Sequence, residues 1–343
     1  MQSELFHSRS AEAPRERLVP ITISGRSFEI TAVFHAYWRF AGERHAIFQR
    51  RLRELWPATA DPILAKFKFT NAYRVLDRTS QYLVREVIQK GDQRPMELFF
   101  RIILFKLFNK IETWELLTHH FGEIRFSDYR FELFDHVLLE ALLRKQRIYS
   151  AAYIMPSGGP NGESKKHRSH LRLLETMMSN DVPKKLHATK TMAEGFSILR
   201  SYPMIGDFLA YQFVTDLNYS NLTNYSEREF VVAGPGAMDG LKKCFPTMSA
   251  SDAPTLIRFM CDHQESLQQD LNLEPVSLCG RPLQLIDCQN LFCETDKYAR
   301  VAYPDIAGLS GRTRIKQSFR ASGPLLTPVF PSKWNLDSQS IQE

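Results

Sequence analysis

Two stretches of this 343-residue chain combine residue types that can do chemistry. The first runs from Phe230 to Lys243 and contains Gly234-Pro235-Gly236 at the entrance of an expected helix. A tight turn of this kind leaves backbone N–H groups, those of Gly236 and Ala237, unpaired at a helix N-terminus. The macrodipole favours an anion there, so the turn can hold a phosphate. Lys242 and Lys243 would add attraction that is independent of sequence. A helix–turn–helix connection with its obligatory glycine is the plainer alternative. The second stretch, Leu283 to Arg300, places Asp287 at a helix start, where the dipole stabilises a carboxylate and the side chain can cap the helix. Glu294 follows seven residues later, two turns along the same face. Here the plainer alternative is a capping aspartate with a surface glutamate.

The elements that must position these groups are helical nearly throughout. A polar arm over 1–18 leads to an alternating segment around Gly25, read as a small hairpin over 20–30. Helices are expected from Val33 to Trp56-Pro57, over 70–90, over the very apolar 95–110, from Thr113 to Gly122, and from Ser127 to about Arg147. Residues 156–165 are the clearest loop, followed at once by Lys165, Lys166, His167 and Arg168. Further helices are expected over 169–178, 190–200, 206–216, from Gly236 to Cys244, over 252–270 and over 283–300. About ten helices with at most one hairpin argue against a parallel α/β sheet. Neither GxxxxGK[ST] nor GxGxxG is present.

Composition narrows the class. A net charge of +6 is moderately basic and suits a polyanionic partner. Five cysteines, an odd number with no CxxC, read as reduced thiols rather than a disulfide or zinc framework. The charged N-terminus has no apolar core of a signal peptide, and no long apolar run suggests a membrane span. The expectation is a cytoplasmic protein, nucleoid-associated if bacterial, with no membrane partner, metal or organic cofactor.

The glycine turn followed by Leu285-Ile286-Asp287 resembles the helix-hairpin-helix DNA glycosylase superfamily. In that superfamily the hairpin grips a DNA phosphate and the aspartate is essential for breaking the glycosidic bond. Residues 246–282 would be an insertion, and Met238 stands where some members carry a Schiff-base lysine, which implies a monofunctional enzyme. A closer resemblance covers residues 31–308. Its strings include Tyr37-Trp38-Arg39-Phe40, Phe69-Thr70-Asn71-Ala72-Tyr73-Arg74, Asp77-Arg78, Asp207 to Gln212, Asp216 to Ser220 and Phe292 to Tyr298. They are similar to the phage-associated α-glutamyl/putrescinyl thymine pyrophosphorylase and 5-hydroxymethyl-deoxyuridine DNA kinase helical-domain family. The resemblance implies an all-α, bilobed glycosylase-like fold with a small N-terminal hairpin. Its parts would be an arm and hairpin over 1–30, a two-lobed domain over 31–308, and a basic, proline-containing tail over 309–343. It also implies DNA carrying modified pyrimidines as the partner, with a separate kinase or modification enzyme beside it.

Chemistry on a base in a duplex needs the base flipped into a pocket with stacking walls and polar groups. Tyr37, Trp38, Asn71, Tyr73, Arg74, Tyr211 and Gln212 are of the right types, although core packing also explains the aromatics. On a helix, Asn71, Arg74 and Arg78 would form one stripe with Asp77 beside it. Excision of a modified pyrimidine, plausible in anti-phage defence, would use Asp287 to stabilise an oxocarbenium-like sugar and steer a water. Transfer of an amine or amino acid to activated 5-hydroxymethyl-uracil would use Asp287 or Glu294 as base. Arg74, Arg78 and Lys297 would then clamp a pyrophosphate leaving group. A non-catalytic modified-DNA binder is the third reading, with the basic tail from Arg312 to Arg320 and the Lys165–Arg168 run gripping the backbone.

Overall fold

The computed structural model describes residues 18–151, 155–157, 163, 165–321 and 323–337. All but the last residue of the expected arm over 1–18, most of the glycine-rich loop and the last residues of the tail lie outside them.

The chain opens with a hairpin, β1 (Ile21–Ile23) and β2 (Arg26–Phe28), paired antiparallel. Ser24 and Gly25 both have positive φ, the two-residue turn that matches strand twist. Thr31 then caps α1 (Ala32–Leu52), accepting from the Val33 N–H at 3.1 Å. α2 (Pro62–Lys66) starts on Asp61, whose carboxylate accepts from Ile63 and Leu64 at 2.7 and 3.0 Å. Beyond a short 3-10 turn (Arg74–Leu76) come α3 (Arg78–Tyr82) and a π-helical turn (Leu83–Ile88).

The apolar segment becomes α4 (Pro95–Phe108), buried from Glu97 to Phe108 and therefore apolar on every side. Its charged residues are paired: Glu97 accepts from the Phe126 N–H at 2.7 Å, and Arg101 donates to three backbone carbonyls. Around it stand α5 (Ile111–Phe121), α6 (Phe131–Leu143), α7 (Lys166–Ser179), α8 (Val182–Ala188), α9 (Met192–Arg200) and α10 (Asp207–Leu217).

A second group of helices packs on α1. It comprises α11 (Pro235–Cys244), α12 (Ala253–Asp262), α13 (Gln264–Gln269) and α14 (Leu285–Ala302). One continuous apolar cluster runs through both groups. The tightest junction joins α11 to α14: a Cβ on Gly240 would lie 2.0 Å from the Phe292 carbonyl oxygen. Only a glycine lets the two backbones approach so closely.

Three expectations need correction. Residues 70–90 are not one helix. The stretch from Phe67 to Tyr73 contains no helical turn, and helix begins only at Arg74, so Asn71, Arg74 and Arg78 share no helical stripe. A second hairpin exists, β3 (Ser277–Leu278) with β4 (Arg281–Pro282), turned by Cys279 and Gly280 at positive φ. The first helix stops at Leu52, before Trp56-Pro57. Among the described residues no helix is long and apolar enough to cross a membrane.

The tail, as far as residue 337, is strapped to the helices. Phe67 and Ser318 form an antiparallel bridge, and the N–H groups of Lys68 and Phe319 donate across it. Further on, Phe330 is buried, and Lys333 donates to the Thr223 and Ser220 carbonyls and the Asn218 side chain.

Candidate functional site

The centre of the site is the N-terminus of α14. Gln284 caps it, and Asp287 returns the bond by accepting from the Gln284 N–H at 3.0 Å. The other Asp287 oxygen accepts from the Arg74 N–H at 2.8 Å. Two turns later, Glu294 accepts from the Thr70 N–H at 2.9 Å. The α14 carboxylates therefore hold two N–H groups of the segment that leads from α2 to α3. This explains its departure from helix: its donors are satisfied by side chains instead of by carbonyls four residues back. Asp287 is 5% exposed, and burial raises its carboxyl to about 6 despite the two N–H bonds.

Arg74 carries the network inward. Its guanidinium grips Asp216 on α10 with both carboxylate oxygens, at 2.7 and 2.9 Å, and donates to Gln212 at 3.1 Å and the Tyr219 hydroxyl at 3.3 Å. Lys106 of α4 completes the cluster, 3.1 Å from Asp216 and 2.6 Å from Asn109. Burial alone would raise the Asp216 carboxyl, but Arg74 and Lys106 overcome it and hold it below the usual range. Gln212 Nε2 is 3.5 Å from the Gln289 oxygen, and Gln289 donates to Cys293 Sγ.

Gln289 and Cys293 also border the glycine entrance of α11. A Cβ on Gly234 would lie 2.7 Å from the Phe208 ring and 3.6 Å from Gln289 Nε2, and one on Gly236 would lie 3.1 Å from Cys293 Sγ. Gly234 to Gly236 and Asp287 thus sit on one packed helix pair. Both glycines also have a packing reason to be small.

A flanking cluster surrounds Asp77. Its carboxylate accepts from the Asn71 N–H at 2.8 Å, while Asn71 donates to the Leu76 carbonyl and accepts from Arg44 at 3.1 Å. Burial, with Glu294 adding to it, raises Asp77 to about 7; burial lowers Arg44 to about 10. Lys297 donates to Glu294 at 2.8 Å and to the Lys68 carbonyl at 2.9 Å.

Other expected site residues lie elsewhere. The Tyr73 hydroxyl donates to the Arg281 carbonyl at 2.7 Å and ties down the second hairpin. Tyr37, Trp38 and Tyr211 are buried, and the Tyr37 hydroxyl bonds the Cys288 carbonyl. Arg78 is exposed near Glu112. Ala237 is fully buried. Lys242 folds onto the Pro246 carbonyl, and in place of a phosphate Lys243 meets Asp296 at 3.1 Å while 3% exposed. Asp216, Gln289, Lys106 and Arg44 were not among the expected site residues. Asp216 carried a faint signal, a second acid deep in a largely apolar helix, but its partner Arg74 is 142 residues away.

Fold and site together define a mostly helical protein organised about a buried ionic network with an ionisable carboxylate at a helix N-terminus. Residues 31–308 match the family model described as the 5-hmdU DNA kinase, helical domain, and the chain belongs to that family. It is 22% identical over 281 residues to a 5-hmdU DNA kinase of Bacillus phage SP10, an alignment covering 75% of this chain and 43% of the relative. The chain therefore spans less than half the length of that curated relative. No solved structure matches it.

Proposed function

We propose that this chain acts on DNA carrying a 5-substituted uracil, with Asp287 as its acid–base group. The observation that carries the reading is the family match over 31–308, within which a buried carboxylate of pKa about 6 shares a helix pair with the Gly234–Gly236 turn. Such a carboxylate is ionised at neutral pH and changes protonation close to it, as a general base must.

The phage relative is named as a kinase of the modified nucleoside, which favours group transfer at the 5-methylene over cleavage of the glycosidic bond. Residues 1–343 contain no GxxxxGK[ST] loop to hold a nucleoside triphosphate, so in this reading the activated base comes from a kinase outside these residues. In such a transfer an amine nitrogen attacks the 5-methylene carbon, pyrophosphate leaves, and the amine proton passes to Asp287. Arg74 is saturated by Asp216, which leaves Arg78 and Lys297 as candidates to meet the leaving group.

Excision is the second reading. It draws on the same carboxylate, which could stabilise an oxocarbenium-like sugar within a glycosylase-like, two-lobed helix-hairpin-helix fold. Incubation with DNA containing 5-hydroxymethyluracil, free or pyrophosphorylated, together with putrescine or glutamate as the incoming amine, separates them. Nucleosides of increased mass support transfer, and alkali-labile abasic sites support excision. Neither product from the wild-type protein, or either product at full rate from Asp287→Asn, refutes the assignment.

A further inference from the structure

The tail strapped across Phe67 makes a feature that neither segment has alone. The bridge between Phe67 and Ser318 joins residues 66–68 to residues 317–319 as a short ribbon, and Arg300 fixes the approach to it by donating to the Arg314 carbonyl at 3.0 Å. Lys66 and Lys68 belong to one strand of the ribbon, and Lys316 and Arg320, with Arg314 just before them, to the other; all are exposed. No Asp or Glu occurs anywhere in 62–76 or in 306–336, so neither segment supplies an acid of its own. Two acids that adjoin residues 62–70 are engaged: Asp61 caps α2 and accepts from the Tyr298 hydroxyl, and Glu294, which holds the Thr70 N–H, is paired with Lys297. At the far end of α1, Arg51 lies 5.2 Å over the Phe319 ring and 6.0 Å from the ring of Trp56, which is 54% exposed.

Direction matters as much as charge. From Lys68 the chain runs within six residues to Arg74, and its N–H groups at Thr70 and Arg74 are those held by Glu294 and Asp287. The Lys297 ammonium joins the two regions through the Lys68 carbonyl. A polyanion lying along the ribbon would be led to the face of α14 that carries both carboxylates.

Resting on the reading above of a DNA-acting chain, we propose that this ribbon is a phosphate track that binds the DNA backbone beside the Asp287 centre. Its affinity is electrostatic and independent of base identity, and each neutralised phosphate releases condensed counterions. The tail is then a structural part of the DNA interface, placed by its pairing with residues 66–68.

Fluorescence anisotropy with a labelled, unmodified oligonucleotide over a salt series tests it. The K66A/K68A/K316A/R320A variant is expected to bind at least ~10-fold more weakly and to lose about 3 from the slope of log K against log salt, at roughly 0.7–0.9 per lost contact. The K145A/K184A/K185A/K190A variant loses the same charge elsewhere and should keep the wild-type slope. Both remove exposed side chains and leave the backbone bridge intact, so both should melt with the wild type. A ribbon variant with an unchanged slope, or a control that loses as much, overturns the track. Wild-type protein that binds no DNA overturns the track and the DNA reading together, whereas binding that ignores the ribbon overturns the track alone.

Discussion

Replacing Asp287 by Asn is the most informative perturbation of the site. The wild-type carboxylate is buried and accepts one N–H on each oxygen. Asparagine keeps one acceptor, and its NH2 group would face the second N–H, which leaves buried donors unpaired at a cost of about 1–3 kcal/mol. Against this stands the raised carboxyl. A shift from 3.8 to about 6 corresponds to about 3 kcal/mol between the two protonation states. The folded protein holds this proton more tightly than the unfolded chain, so the wild type loses stability as pH rises from 3.8 through about 6, and the whole loss is present above that range. The Asn variant has no such loss. Its melting temperature relative to wild type should therefore rise with pH, by ~6 °C in all at about 2 °C per kcal/mol for a chain of this size. Thermal melts of both proteins, from below the ordinary carboxylate range to above neutrality, read this directly. Taking the difference between the two proteins cancels the other titrating groups, Asp77 among them. A difference that stays constant across the range would show that Asp287 is not the buried, ionising group on which the proposed chemistry depends. If Asp287 is the base, turnover in the wild type should rise around its folded-state ionisation, half-maximal near pH 6, and be absent in the variant.

Other outcomes follow from the packing. Gly240→Ala should destabilise by about 3 kcal/mol or more, because its Cβ would collide with the Phe292 backbone. Gly42→Ala in α1 meets nothing within 4 Å and should stabilise by about 0.5–1 kcal/mol; denaturant titration of both checks the sign. Arg74→Met should cost about 3–5 kcal/mol by leaving Asp216 with Lys106 as its remaining cation, and an unfolding midpoint near wild type would refute the network. Trp334→Ala should cost about 3 kcal/mol by removing a ring stacked under Arg281 at 3.9 Å and bonded to Glu227, and should raise protease cleavage of the tail.

The sequence by itself determined most of the helices, because a 3.6-residue apolar period is written in adjacent residues and needs no partner to be read. The all-apolar run that becomes α4, the glycine entrance to α11 and Asp287 in the first turn of α14 were all legible in this way. The first hairpin was equally local. Its twin was not, since Cys279-Gly280 is a weaker turn signal and the strands flanking it are two residues long. Tertiary structure alone decided residues 67–77. Tyr73, Leu76 and Leu83 have helical spacing, yet side chains more than 200 residues away take the N–H groups of Thr70 and Arg74. It also decided that Arg74 belongs to Asp216, that Lys243 is buried against Asp296, and that a basic tail is strapped beside α2. Helix formation is a property of neighbours in sequence, whereas the partner of a buried charge is chosen by whichever groups the folded core leaves within reach.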